Sequence, residues 1–160
     1  RLIILGRGSD DKEAKLEKTY YEKIFKKENI IFLKNSEKRK KFDLLDKSKL
    51  VVTINSSLGY ESFSRGTKTA FFSVRAKNGL FQSTKFGWPA SKTTKGPCWT
   101  NDNSLKEIER VLNYLTKMTQ NKWIKFRDRE MSDLIRFDPG NKKFLKFAKN
   151  IGLPVNYKYL

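Results

Sequence analysis

The chain predicts an α/β fold, a parallel sheet with helices on both faces, and three observations carry that expectation. Short apolar runs rich in β-branched or aromatic residues recur at 2–5, 29–33, 50–54 and 69–74. Polar stretches with helical periodicity separate them. Turn formers follow the runs, with Gly6-Arg7-Gly8-Ser9 after the first and Asn55-Ser56-Ser57 after the third. Strands that alternate with helices at this pitch imply right-handed crossovers. A length of 160 residues suits one good core and a single domain spanning 1–160, with no internal repeat and no low-complexity linker.

Leu2-Ile3-Ile4-Leu5 reads as a buried first strand. Arg7 lies just past its carboxyl end, where open α/β sheets place ligand-contacting groups, although a surface turn arginine is the plainer reading. A helix is expected from Asp10 or Asp11 to Lys27, with Leu16, Tyr20 and Ile24 as its inner face and acids early and lysines late, as the helix dipole prefers. A second strand at 29–33 leads into a short basic helix from Glu37 to about Asp46.

The third run, Leu50-Val51-Val52-Thr53-Ile54, breaks into Asn55-Ser56-Ser57-Leu58-Gly59-Tyr60-Glu61, which reads as strand, tight turn and helix start. A helix N-terminus offers unpaired N–H groups and partial positive charge, so this turn suits phosphate or carboxylate oxygens. A capping box needs its Glu three residues after the cap, whereas Glu61 lies four after Ser57 and five after Ser56. Glu61 instead shares a helix face with Ser57 and suits a sugar hydroxyl. The alternative is a serine that only caps the helix and a solvated surface acid.

The helix from Ser57 to Arg65 should stop at Gly66, and Thr69-Ala70-Phe71-Phe72-Ser73-Val74 forms the fourth strand. Residues 75–98 are too long for an ordinary connector and read as a functional loop. Arg75, at its start, is the best second anion contact, since a guanidinium fork grips phosphate oxygens in pairs. Phe86-Gly87-Trp88-Pro89 offers an aromatic surface for a base or sugar ring, while Trp88 and Trp99 equally fit pinning the loop to the core. Asn101-Asp102-Asn103-Ser104 caps a helix to about Met118 whose inner stripe is Leu105, Ile108, Val111, Leu112 and Leu115. Further helices span about 121–135 and from Asp138-Pro139-Gly140-Asn141 to near Gly152, so carboxyl-terminal helices occupy 104–152.

Composition excludes several chemistries. Histidine is absent and Cys98 is the only cysteine, which removes Ser-His-Asp and Cys-His nucleophile arrangements, His metal sites and an internal disulfide, and points to a reducing, cytoplasmic setting. No apolar run reaches membrane-spanning length and the opening segment lacks a signal-peptide pattern. The chain begins at Arg1 without a methionine and is expected to be part of a longer enzyme. A net charge of +18 suggests nucleic acid or an anionic membrane face, but the lysines are scattered along helices apart from Lys38-Arg39-Lys40-Lys41, as a compositional bias also gives.

The run from Asn55 to Ser62, then Arg65-Gly66, Lys68-Thr69-Ala70, Phe72-Ser73 and Arg75, resembles bacterial O-antigen and surface-carbohydrate biosynthesis proteins. Phe86-Gly87-Trp88-Pro89, Gly96-Pro97-Cys98-Trp99-Thr100-Asn101-Asp102 and Phe137-Asp138-Pro139-Gly140-Asn141 resemble the same group, in the same order. The resemblance implies a glycosyltransferase of the GT-B type, with this chain as the Rossmann-like carboxyl-terminal half that holds the sugar donor and a missing amino-terminal domain supplying the catalytic base. It implies that the serine turn takes donor phosphate oxygens and Glu61 the ribose or sugar hydroxyls. Relatives tend to carry Asp-Ser-Thr where this chain has Asn55-Ser56-Ser57, and the neutral Asn55 keeps the hydrogen-bonding capacity of that acid but not its charge.

The candidate donor-binding set is Arg7, Asn55, Ser56, Ser57, Gly59, Tyr60, Glu61, Arg75, Gly87 and Trp88, with no metal or cofactor and no residue assigned to catalysis. Expected partners are a nucleotide-sugar donor, a saccharide or lipid-linked acceptor, the amino-terminal domain and peripherally an anionic inner-membrane face; nucleic acid is not expected. A polyanion-binding module and a sugar-nucleotide epimerase are the alternatives.

Overall fold

The computed structural model describes residues 1–8, 10–25, 29–34, 38–78, 82–87 and 93–154. The chain is α/β, as the alternation predicts, and Rossmann-like in its strand-helix order. It divides into two compact units, Arg1–Lys47 and Ser48–Leu160.

In the first unit, β1 (Leu2–Leu5) and β2 (Ile30–Leu33) pair in parallel, Leu2 opposite Ile30 through Leu5 opposite Leu33. Helix α1 (Asp11–Phe25) connects them and α2 (Lys38–Lys47) follows. The inner face of α1 is not the one the periodicity indicates. Leu16, Tyr20 and Ile24 are exposed, while Ala14 is buried and Tyr21 meets Phe32 at 6.3 Å between ring centroids. The cause is polar. The Glu17 carboxylate accepts from the backbone N–H groups of Arg7 at 2.8 Å and Gly8 at 3.0 Å, and this tie turns the Ala14-Glu17-Tyr21 face toward the strands.

The second unit holds a four-stranded sheet in the order β3-β4-β6-β5. Strand β3 (Val51–Thr53) pairs in parallel with β4 (Thr69–Phe72), and β4 with β6 (Trp99–Thr100). Strand β5 (Lys95–Gly96) is antiparallel to β6, so the sheet is mixed rather than wholly parallel. The stretch expected as one long loop therefore contains a hairpin and two short 3₁₀ turns, Val74–Asn78 and Gln82–Thr84. Strands of two residues carry no readable alternation, which is why the hairpin escapes the pattern.

Helix α3 (Ser57–Arg65) has the expected bounds and ends at Gly66, whose φ of 105° is the left-handed stop that glycine adopts freely. Helix α5 (Gln120–Glu130) reads that end directly: Trp123 Nε1 and Gln120 Nε2 donate to the Gly66 carbonyl at 3.0 and 2.8 Å, and Arg127 donates to the Ser64 carbonyl at 3.2 Å. Helix α4 (Leu105–Lys117) buries Val111 and Leu115 and half-buries Ile108 and Leu112, but Leu105 in its first turn is exposed. Helix α5 ends at Glu130, short of the expected 135, yet Met131, Leu134 and Ile135 still pack on the core, so burial continues through a turn that periodicity cannot separate from helix. A turn over Pro139–Asn141 leads to α6 (Lys142–Asn150). The core gathers Phe63, Phe71, Phe86, Trp99, Leu115 and Trp123, with Phe86 stacked on Trp99 at 4.9 Å.

Arg110 fastens α4 to the hairpin, donating to the carbonyls of Gly96 at 3.0 Å and Trp99 at 3.4 Å and to Glu107 at 2.8 Å, while Lys95 reaches Glu107 at 3.3 Å. The Arg110 hydrogen bond, with help from Lys95, holds the Glu107 carboxyl below its usual range. A lowered carboxyl stabilises the fold above its unfolded pKa of about 4.3, and that contribution is lost as pH falls through the native value. Wild type should therefore lose its stability margin over Glu107→Gln on acidification from about pH 5 downward, measured by chemical denaturation; parallel curves would refute the linkage.

Candidate functional site

The site is built from strand β3 outward. Thr53 is buried, and its Oγ1 accepts from the Ser56 N–H at 3.3 Å, which bends the chain immediately after the strand. Asn55, inside the bend, has φ 69°, a left-handed conformation that Asn tolerates better than most residues. Ser56 is the N-cap of α3 in extended backbone, yet its hydroxyl makes no capping hydrogen bond. Ser56 thus stands at the cap position without its hydroxyl being used by the helix start. Asn55, Ser56 and Ser57 are all exposed.

Helix α3 lies against β3 because Gly59 has no side chain. A Cβ there would press on the Thr53 methyl and stand 2.8 Å from Thr53 Cβ and 2.9 Å from its Oγ1. Gly59 is thus a packing residue that lets the helix start approach the strand end. Gly59→Ala should destabilise the protein by about 1–3 kcal/mol, as overpacking does, without altering its secondary structure; a melting temperature equal to wild type would refute the contact.

Tyr60 and Gly87 come together. The Gly87 N–H donates to the Tyr60 hydroxyl at 3.3 Å, and the Tyr60 ring stacks on Phe86 at 5.9 Å with 9° between planes. Burial pushes the Tyr60 phenol above its ordinary pKa, so it stays a neutral hydrogen-bonding group. Gly87, at φ 77°, marks a left-handed turn at the head of the loop. Trp88 lies outside the described residues. Trp99 takes the packing role, buried with its Nε1 donating to the Thr93 carbonyl at 3.0 Å.

Topology places Arg75 at the same sheet edge as the bend, because β3 and β4 are parallel neighbours and both segments follow their carboxyl ends. Arg75 is exposed. Glu61 is half-buried one turn into α3, and no group among the described residues pairs with its carboxylate. Arg7 belongs to the first unit, where its N–H, with that of Gly8, already holds the Glu17 carboxylate.

Asn101 is a residue the sequence reading leaves in a helix cap. It follows β6 at the same edge, buried, with Oδ1 accepting from the Phe86 N–H at 3.3 Å and its own N–H donating to the Thr94 carbonyl at 2.8 Å. Its Nδ2 is buried and has no partner among the described residues. Only its place directly after the Cys98-Trp99-Thr100 run hints at this role.

Among the described residues no cluster of three or more His, Cys, Asp or Glu is arranged to hold a metal, and no helix is long and apolar enough to cross a membrane. Comparison with protein families decides the affiliation: a family model described as "putative O-antigen biosynthesis protein" matches residues 1–151. The chain belongs to this family. No curated protein and no solved structure matches the chain significantly. For this O-antigen biosynthesis family member the bend at Asn55-Ser56-Ser57 is the candidate site.

Cys98 takes no part in that site. It is fully buried, and burial pushes its thiol up to about 12. Iodoacetamide at about pH 8 should leave it unmodified in the folded protein and alkylate it after denaturation; stoichiometric labelling of the native protein would refute this burial.

Proposed function

We propose that the chain is the donor-nucleotide-binding part of a glycosyltransferase of the GT-B type acting in O-antigen biosynthesis. The observation that supports this reading most is the exposed bend with an uncommitted Ser56 hydroxyl, at a helix start on the carboxyl edge of a parallel strand pair. Family membership supplies the carbohydrate context.

In glycosyl transfer the bond from the sugar to the nucleotide phosphate breaks and negative charge builds on the departing phosphate. The first N–H groups of α3, the Ser56 and Ser57 hydroxyls and the Arg75 guanidinium would meet that charge with fixed dipoles and a bidentate cation. Glu61 would accept from a ribose or sugar hydroxyl. The acceptor hydroxyl needs a base, and no residue here is assigned to it.

Calorimetry with uridine, guanosine and thymidine diphosphate sugars tests the proposal. A charged hydrogen bond contributes about 1.5–3 kcal/mol, so Arg75→Ala and the Ser56→Ala, Ser57→Ala pair should each weaken binding by about 10- to 100-fold. Because Ser56 makes no capping bond, its loss should change stability by less than about 0.5 kcal/mol. Absence of binding to every donor, or variants that bind like wild type, would overturn the reading. Steeply salt-dependent binding to nucleic acid in its place would favour a polyanion module driven by the +18 charge. Consumption of donor without acceptor would favour an epimerase.

A further inference from the structure

Helix α6 presents an apolar face to solvent. Phe144, Phe147 and Ile151 lie three and four residues apart, hence on one side, and are 58%, 58% and 54% exposed. Leu153, just beyond, is 51% exposed. The packed residues lie along one edge of this face, with Ala148, four residues after Phe144, buried and Leu145 half-buried. Three exposed aromatic or branched residues on one helix are not explained by the fold.

The polar flank is uniformly cationic. Lys142, Lys143, Lys146 and Lys149 are exposed, and from Pro139 to the end of the sequence there is no Asp or Glu. The helix is also preformed. The Asp138 carboxylate accepts from the N–H groups of Lys143 at 2.8 Å and Phe144 at 3.2 Å, and Gly140 and Asn141, at φ 67° and 51°, set the turn that aims it. Its ordering entropy is met before any partner arrives.

We infer that α6 is a docking element for an anionic lipid surface, with Phe144, Phe147 and Ile151 entering the headgroup boundary while the lysines meet lipid phosphates. Aromatic residues on one side and lysines on the other are the signature of a helix that lies in the membrane interface. Charge complementarity selects lipid, because the lysines of α6 have no acid from Pro139 onward to pair them and an anionic headgroup layer supplies the opposite charge beside the apolar depth that the phenylalanines need. Each lysine near an anionic leaflet adds roughly fivefold to partitioning, and the buried rings add an apolar contribution that salt does not screen. The inference stands on α6 alone and is independent of the donor reading.

Flotation of the full chain with phosphatidylcholine vesicles, with and without about 30 mol% phosphatidylglycerol, tests it. Binding should require the anionic lipid and weaken in high salt. The Phe144→Ser, Phe147→Ser pair should reduce it by at least about tenfold while keeping the wild-type melting temperature, since neither ring is buried. Lys143→Glu with Lys146→Glu should reduce it similarly. No binding to anionic vesicles would overturn the inference. So would binding that the phenylalanine pair leaves unchanged, which would reduce the effect to net charge. Lipid-free dimerisation abolished by the same pair would assign the face to a second copy and overturn it as well.

Discussion

The approach of α3 to β3 at Gly59 is the constraint on which the candidate site depends. Thr53 serves both sides of it. Its methyl occupies the space that a side chain at position 59 would need, and its hydroxyl holds the Ser56 N–H. A larger residue at either position would move the helix start away from the strand end, and the bend would lose its shape before any exposed hydroxyl was touched. The third glycine of dinucleotide-binding turns works by the same physics, close helix-strand packing that brings a helix N-terminus to the sheet edge.

Polar ties made across the units' own chains set how the remaining helices sit. Trp123, Gln120 and Arg127 of α5 bind carbonyls at the end of α3, so the far end of the site's helix is held as firmly as its start. Lys68 donates to the carbonyls of Leu115, at 3.2 Å, and Met118, closing the last turn of α4. Arg110 does the equivalent work for the hairpin. In the first unit Glu17 fills the N–H groups after β1, so that turn, unlike the one after β3, supplies its own anion.

Legibility in the sequence follows from how local each determinant is. Helix α3 could be read to its bounds because a serine start and a glycine stop are local signals. The rotation of α1 could not, because a carboxylate ten residues from its partner decides it against an apolar stripe that points elsewhere. The same holds at the site. The serine bend announces itself, whereas the Tyr60–Gly87 and Asn101–Phe86 hydrogen bonds join residues 27 and 15 apart and depend on strands too short to show a period. Gly59 and Tyr60 are legible as neighbours of the serine bend but not as packing groups, since composition does not distinguish a residue that touches a ligand from one that places its neighbour.

The surplus of positive charge looks different once its members are followed individually. Lys68, Arg110 and Arg127 direct donors at backbone carbonyls, and Lys34 meets Asp11 at 2.7 Å, lowering that carboxyl's pKa through their hydrogen bond. Such cations are structural, and a net charge of +18 therefore overstates what is free to meet a partner. On α6 the arrangement is of another kind: exposed lysines share a helix with exposed phenylalanines, and the intervening acids that would neutralise them are missing. Charge alone names no partner class, but charge fixed beside an uncovered apolar face requires a partner that is anionic at one depth and apolar a few ångströms deeper, and a lipid headgroup layer has that order.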